Sequence, residues 1–149
     1  LENAAARAEK LGLTPHKMVF MYWNDGGVWQ ISAAPILQAI ARGLDQGVAI
    51  DAMALGFHQA VGDMIAALAE KIREEVPTNQ VALTGGVFQN KILMEYTLSL
   101  LRTKGFEVYY NISVGPNDGG VSLGQTYIAM EYLKEDQHVH CDSGQTHGH

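Results

Sequence analysis

The strongest constraint on the fold is a pair of glycine-rich turns, each of which links an apolar run to an amphipathic segment. The first places Thr84-Gly85-Gly86 after Val81-Ala82-Leu83, and the second reads Gly115-Pro116-Asn117-Asp118-Gly119-Gly120. Glycine lets the backbone adopt positive φ, and it removes a side chain that would keep a ligand away from the peptide planes. The pattern therefore predicts two strand-to-helix turns whose backbones can approach a bound group closely.

The segments around these turns predict an α/β fold. Five segments have apolar residues at helical spacing, and most of them end at glycine or proline: 2–11, 35–46, 50–75, 90–104 and 119–134. Two apolar runs, 17–23 and 28–32, flank Asn24-Asp25-Gly26-Gly27 and predict a β-hairpin. The run 81–83 predicts a strand covered on both faces, and alternation over 106–112 predicts a half-buried strand. Short connections between the last four elements favour a parallel βαβ unit.

The same periodicity predicts which residues face the core. In the helix 35–46 these are Ile36, Leu37, Ile40, Ala41 and Leu44. The helix 50–75 has a longer stripe, formed by Ile50, Met53, Phe57, Val61, Met64, Ile65, Leu68 and Ile72. One side of the last helix is also expected to be buried, with Val121, Leu123, Tyr127 and Met130. His58 is predicted to lie at the edge of the core with one ring nitrogen bonded to a carbonyl.

Charge, cysteine content and hydropathy narrow the class of protein. The net charge of -6 arises from 10 basic and 16 acidic residues without a long single-sign block, which argues against a nucleic-acid surface. No apolar run approaches the roughly 20 residues of a membrane-spanning helix, and the N-terminus does not resemble a secretion signal. The single cysteine, Cys141, cannot form an intramolecular disulfide and fits a reducing compartment. We therefore expect a cytoplasmic protein whose ligand is a small molecule or another protein.

The chain is predicted to divide at residue 134. Residues 1–134 carry the periodic segments, whereas 135–149 form a polar, histidine-rich tail that we expect to be disordered. The tail contains a run of metal-ligand types whose spacing matches no closed tetrahedral site: His138, His140, Cys141, His147 and His149. We interpret it as a segment that takes up metal adventitiously.

The turn at 84–86 offers groups that suit a nucleotide. Thr84 has a hydroxyl and Asn90 an amide that could contact ribose or phosphate next to the Gly85-Gly86 backbone. A helix that follows such a turn directs free amides and its positive dipole end toward the same space. A purely structural turn is the alternative interpretation, because short glycine motifs occur in many unrelated proteins.

Asp118 has three possible roles, as a helix N-cap, an oxygen ligand for a divalent cation, or a partner for a ligand-bound cation. Gly119 and Gly120 follow it, and each costs about 0.8–1.0 kcal/mol relative to alanine inside a helix. Two glycines in the first turn of a helix therefore favour a ligand-binding role for Asp118 over a purely capping one. The same tetrapeptide, Asn-Asp-Gly-Gly, also occurs at 24–27 between two strand-like runs, where it predicts only a hairpin turn.

These motifs resemble those of the HypF carbamoyltransferase family. The phrases that carry the resemblance are Val81–Asn90, Pro116–Gln125 and Phe57-His58, with Thr84 where serine is more usual. The similarity extends over nearly all of residues 1–134, and the tail has no place in the pattern. It identifies the chain with the C-terminal part of that family, whose module resembles tRNA threonylcarbamoyl-transferases and antibiotic O-carbamoyltransferases. The implied fold is the second half of an actin-like ATPase (ASKHA) module, with a β-hairpin, a βαβα unit and flanking helices.

The resemblance also implies a reaction and a site. Enzymes of this family make carbamoyl adenylate from carbamoyl phosphate and ATP, and they pass the carbamoyl group to the C-terminal cysteine of HypE during nickel-iron hydrogenase maturation. Residues expected to contact the nucleotide are Thr84, Gly85, Gly86, Asn90, Asn117 and Gly119. Asp118 is expected to bind a divalent metal, iron or magnesium, and no catalytic side chain is assigned.

Several parts of that family have no counterpart in these 149 residues. They are an acylphosphatase-like domain, cysteine-rich zinc fingers, an adenylate-forming domain, and the other half of the actin-like module with its histidine motif. Zinc is expected only in those upstream domains, which would be partners within one polypeptide. We therefore expect half a site and no turnover by the chain alone. The alternatives are the nucleotide-binding half of another actin-like kinase or ATPase, and a non-catalytic module that binds a partner.

Overall fold

The computed structural model describes residues 1–111 and 121–141, and its elements follow the predicted α/β order. They are α1 (Glu2–Lys10), β1 (Met21–Asp25), β2 (Val28–Ser32), α2 (Ala34–Asp45), α3 (Ile50–Glu75), β3 (Gln80–Leu83), a 3-10 helix (Gly86–Gln89), α4 (Lys91–Thr103), β4 (Glu107–Tyr110) and α5 (Val121–Cys141). The 3-10 helix is absent from the sequence prediction, because so short an element has no periodic pattern.

The hairpin has the predicted turn. β1 and β2 pair antiparallel, with partners from Met21–Ser32 to Asp25–Val28. Gly26 and Gly27 have φ values of 61° and 88°, and the Gly27 amide donates to Asn24 Oδ1 over 2.8 Å. Two successive positive φ values are those of a type I′ turn, whose twist matches the flanking strands. The first Asn-Asp-Gly-Gly is therefore a hairpin turn.

The segment before β1 is held against α3, so the strand begins at Met21 rather than at residue 17. The His16 amide donates to the Ala52 carbonyl over 3.0 Å. A Cβ placed on Gly56 would overlap the His16 carbonyl oxygen, so a glycine in α3 is what permits this crossing. Backbone this close to a helix is bonded to it and cannot pair as a strand.

β3 and β4 form the predicted parallel pair, with α4 as the crossover. The expectation that β3 is covered on both faces is wrong within the described residues. Leu83 is buried and Val81 half-buried, whereas Gln80 and Ala82 are exposed. Alternate residues of a strand point to opposite faces, so the described elements cover only one face of β3.

The long helix α3 contributes to all three apolar clusters found in the described residues. Ala54 and Leu55 pack with α1 and Ile92, Met53 and Ala60 pack with Met18 and α2, and Ala66 packs with β3, α4 and Phe106. The buried residues of α3 are mostly small: Ala52, Met53, Ala54, Leu55, Gly56, His58, Ala60, Gly62 and Ala66. They surround the helix because it has neighbours on several sides, so a single predicted stripe describes it poorly.

The outer ends of the stripe predicted for α3 are wrong, since Ile50 and Ile72 are 66% and 45% exposed. By length and composition α3 could also cross a membrane, although no apolar run in the sequence suggested this. Half of its most apolar stretch is buried in the fold. The central helix of a packed core meets the same criterion.

The predicted face of α2 is partly wrong. Ile36, Ala39 and Gly43 are buried, whereas Leu37 and Leu44 are 65% and 57% exposed. A Cβ on Gly43 would lie 2.7 Å from the Met53 sulfur, so the absence of a side chain lets α2 and α3 approach closely. Because the two helices are this close, α2 packs against α3 with its small residues, and its leucines face away.

The last helix, α5, continues to Cys141 and so extends past the predicted boundary at residue 134. Residues 135–141 contain no glycine or proline that would end a helix, so the helix can continue through them. Residues 142–149 lie outside the described residues, and the division at 134 stays a prediction. Tyr127 and Met130, expected to face the core, are 65% and 52% exposed. The large apolar residues of α5 do not concentrate on one side of the helix.

Candidate functional site

Residues 84–90, here called the glycine turn, connect β3 to α4. Gly85 has φ 101° and ψ 157°, a conformation that is essentially restricted to glycine. Gly86 is not in the left-handed region, and a Cβ placed on it would meet no atom of the described residues within 4 Å. The backbone therefore requires glycine at 85 but not at 86. At 86 the missing side chain leaves open space that a ligand can occupy.

The amides of the glycine turn are only partly used. Phe88 N donates to Gly85 O and Asn90 N donates to Val87 O, each over 3.1 Å. The amides of Gly86 and Val87 have no acceptor among the residues that the structure describes. Thr84 is exposed at the end of β3, as a ligand contact requires. Free amides next to open space suit an anionic ligand such as a phosphate group.

The first turn of α4 is closed by the protein itself, which corrects the expectation of free amides at this helix. The Lys91 amide donates to Glu2 Oε1 over 2.7 Å, and the Leu93 amide donates to Asn90 Oδ1 over 3.0 Å. The 3-10 helix, which begins at Gly86, lies between Gly85 and α4, so the free amides of the glycine turn are not those of the first turn of α4. Glu2 supplies negative charge where the helix dipole favours it. Sequence reasoning missed this contact because Glu2 belongs to α1.

Asn90 lies at the N-terminus of α4, and both the oxygen and the nitrogen of its carboxamide contact the protein. Oδ1 caps α4, and Nδ2 lies 2.8 Å from His58 Nε2. His58 is buried, with Nδ1 2.7 Å from the Ala54 carbonyl oxygen, as predicted. A contact between Asn90 and a nucleotide would have to use the second Nδ2 hydrogen or the second Oδ1 lone pair. That contact stays a prediction.

Asn117, Asp118 and Gly119 lie outside the described residues, so their predicted roles stay predictions. Leu83 pairs with Tyr110, so β3 and β4 end at the same edge of the parallel pair. Chains that continue from two parallel strands leave the sheet at the same edge, which is where α/β folds bind ligands. Within 1–111 and 121–141 no group of three His, Cys, Asp or Glu side chains could hold a metal ion.

An apolar cleft of about 500 Å³ lies beside the glycine turn, and the sequence did not predict it. Its lining includes Thr84 and Phe88 from the turn, Leu68 and Ile72 from α3, and Phe106 just before β4. The lining residues carry no charged side chain, so phosphate would find no favourable partner inside the cleft. An anionic ligand would therefore be favoured at the amides of the glycine turn and not in this cleft.

The chain matches one protein family over most of its length. Residues 1–125 match the family described as "Carbamoyltransferase, Kae1-like Domain, second subdomain". The carbamoyltransferase HypF of Rhodobacter capsulatus is 34% identical over 106 residues, which are 71% of this chain and 14% of that protein. The tRNA N6-adenosine threonylcarbamoyltransferase of Archaeoglobus fulgidus is 24% identical over 130 residues, 87% of this chain and 38% of that protein.

A solved structure supports the same relationship. Full-length HypF in its phosphate- and nucleotide-bound form superposes with a TM-score of 0.73 at 35% identity, covering 79% of this chain and 16% of that one. The chain thus spans 14% to 16% of the length of these HypF proteins. The match confirms the predicted fold, the second half of an actin-like module. This chain therefore belongs to the HypF carbamoyltransferase family, in which it corresponds to the second subdomain of the Kae1-like domain.

Proposed function

We propose that this chain is the nucleotide-binding half of a carbamoyl-transfer domain, in an enzyme that moves a carbamoyl group from carbamoyl adenylate to a protein thiol. The observation that carries the proposal is the glycine turn. It combines a glycine-only conformation at Gly85, open space at Gly86, and amides at Gly86 and Val87 that find no acceptor among the described residues. Family membership supplies the class of reaction, and the related HypF structure is described as phosphate- and nucleotide-bound.

In this proposal the amides of Gly86 and Val87 hold phosphate oxygens of the adenylate. Fixed backbone donors stabilise negative charge without having to reorganise during the reaction. The thiolate sulfur forms a bond to the carbamoyl carbon, the bond from that carbon to the phosphate oxygen breaks, and AMP leaves. Asp118 is an oxygen ligand of the kind that iron or magnesium would take, and a bound cation would offset charge on the leaving phosphate.

The substrates and partners of the proposal come from the family resemblance. ATP and carbamoyl phosphate would supply the adenylate in upstream domains of the same polypeptide, where zinc would also be bound. The acceptor would be the C-terminal cysteine of a HypE-like protein, in the cytoplasm. One cysteine in 149 residues fits that compartment.

An NMR titration of the 149-residue chain with ATP tests the proposal. ATP should shift the amide resonances of Gly86 and Val87 more than those of Gly26 and Gly27 in the hairpin. Gly86→Val should remove these shifts, because its side chain would fill the space that the nucleotide needs. Its melting temperature should change little, since the added Cβ meets no atom within 4 Å.

Gly85→Val is the matched control, because φ of 101° disfavours any side chain at that position. It should cost on the order of 1–3 kcal/mol of stability through backbone strain. Wild-type ATP shifts in Gly86→Val would mean that the glycine turn is structural only. No ATP shift in the wild-type chain would favour a module that only binds a partner, whereas ATP-dependent phosphoryl transfer by the complete enzyme would favour an actin-like kinase.

A further inference from the structure

His58 is a buried titratable residue to which the proposed function assigns no role. It lies in the middle of α3 and is 3% exposed. Nδ1 is 2.7 Å from the Ala54 carbonyl oxygen, and Nε2 is 2.8 Å from Asn90 Nδ2. A carbonyl oxygen only accepts, so Nδ1 carries the proton and Nε2 accepts from the Asn90 amide. The contacts thus select the Nδ1–H tautomer.

The same contacts fix the orientation of Asn90. Its Oδ1 accepts from the Leu93 amide over 3.0 Å, which leaves Nδ2 to donate to His58. A flipped carboxamide would set Nδ2 against the Leu93 N–H and Oδ1 against the Nε2 lone pair. Both hydrogen bonds would then be lost at a partly buried position, where an unpaired polar group lowers the stability of the fold.

Asn90 also ends the glycine turn. Its amide donates to the Val87 carbonyl over 3.1 Å, and this bond closes the 3-10 helix that begins at Gly86. The amides of Gly86 and Val87 therefore lie between β3 at one end and Asn90 at the other. His58 connects the Asn90 end to α3, the helix that contributes to every apolar cluster of the described core.

We infer that His58 is a positioning residue for the nucleotide. It acts through Asn90 to hold the Gly86 and Val87 amides in the direction that a phosphate group needs. The inference rests on the proposed nucleotide-binding function. It assigns the buried imidazole a role that depends on its Nε2 lone pair rather than on its volume.

Two substitutions of His58 separate this role from packing. Glutamine can place its side-chain oxygen near the position of Nε2, so His58→Gln should keep the bond to Asn90. Asparagine is shorter and reaches only the position of Nδ1, so His58→Asn should keep a bond to the Ala54 carbonyl and lose Asn90. Asn90→Ser removes the same contact from the other side, because serine caps a helix but cannot reach His58.

In the absence of nucleotide, the chemical shifts of the Gly86 and Val87 amides report the conformation of the glycine turn. They should move in His58→Asn and in Asn90→Ser, and keep wild-type positions in His58→Gln. Titration with ATP should show roughly tenfold weaker binding in the first two variants, the effect of about one buried hydrogen bond. Nitrogen NMR of the wild-type imidazole should show a protonated Nδ1 and an unprotonated Nε2.

Unmoved Gly86 and Val87 resonances in His58→Asn, or unchanged ATP affinity in that variant, would overturn the inference. If His58→Gln also moves the Gly86 and Val87 resonances and weakens ATP binding, His58 contributes through packing alone. If the wild-type chain does not bind ATP, the proposed function fails, and the nucleotide-free resonances still decide whether His58 sets the turn. If His58→Asn does not fold, the nucleotide-free resonances of Gly86 and Val87 in Asn90→Ser decide, because that variant leaves α3 unchanged and these resonances do not depend on a contact between Asn90 and ATP.

Discussion

Single glycines determine how closely the elements of this chain approach one another. At Gly56 a Cβ would overlap the carbonyl oxygen of His16, which belongs to backbone and cannot rotate away. Gly56→Ala should therefore lose about 1–3 kcal/mol of unfolding free energy, as overpacked core sites do. Urea unfolding followed by circular dichroism measures this loss.

Gly124→Ala provides the comparison for Gly56→Ala, because it also lies in a helix but its Cβ would meet no atom within 4 Å. Alanine there should be neutral or slightly stabilising. Equal stability of Gly56→Ala and the wild type would show that the segment through His16 does not cross α3 as closely as described.

The two copies of Asn-Asp-Gly-Gly allow a matched comparison of one aspartate in two settings. In the complete enzyme, Asp118→Asn should abolish metal-dependent carbamoyl transfer to the thiol, since the amide keeps size and capping ability but loses charge. Adenylate formation in the upstream domain should continue. Asp25→Asn changes only the hairpin, where Asp25 pairs with Val28, and should leave transfer intact. Near wild-type transfer by Asp118→Asn would leave Asp118 as a helix cap.

At the scale of elements, α3 and α4 are joined by a contact that pH can probe. The Tyr96 hydroxyl donates to Asp63 Oδ1 over 2.8 Å. Burial, and then this hydrogen bond, raise the pKa of Tyr96 from the ordinary 10.0 to about 12. Because the pKa is higher in the folded chain, the stabilisation is complete below pH 10 and is lost as pH rises through about 12.

Tyrosinate absorbance measured against pH tests this shift. Tyr96→Phe should remove the latest component of the wild-type titration, and Asp63→Asn should move it to lower pH because the negative acceptor is gone. A titration curve whose high-pH limb is the same in Tyr96→Phe would refute the assignment to Tyr96.

The element order could be predicted because its signals are local. The hairpin turn is encoded by Gly26 and Gly27, and the parallel βαβ unit by short apolar runs with one helix between them. The buried faces of α2 and α3 could not be predicted in the same way. Small residues such as Ala39 and Gly43 lie at the contacts there, and hydropathy periodicity weights leucine above them.

The site was only partly predictable for a similar reason. Glycine at 85 and 86 marked the turn, yet the partners that shape it come from distant parts of the chain. Glu2 reaches the amide of Lys91, and His58 reaches Asn90. No pattern within one segment encodes such pairs. His58 could be placed near the core with a carbonyl partner, but its contact with Asn90 required the packed structure.

At the scale of the whole molecule, the proposed function gives the described residues one side of a site. Open space lies over Gly86, and no metal-binding group of three side chains is present among them. The family resemblance assigns adenylate formation to an upstream domain, so we expect that the 149-residue chain, given ATP and carbamoyl phosphate, releases no pyrophosphate. The chain should nevertheless be folded, which thermal melting would show. Carbamoyl-phosphate-dependent pyrophosphate release by the purified chain would contradict this expectation.

The position of α3 has a consequence for cooperativity. Because this helix lines all three described clusters, we expect that displacing α3 from one of them also disrupts the other two. Amides along α3, at Ala54, Ala60 and Ala66, should then exchange their hydrogens with one common opening free energy, although each belongs to a different cluster. Different opening free energies at these three amides would mean that the three clusters unfold as separate units. A common value would mean that one helix makes the three clusters a single unit that melts together.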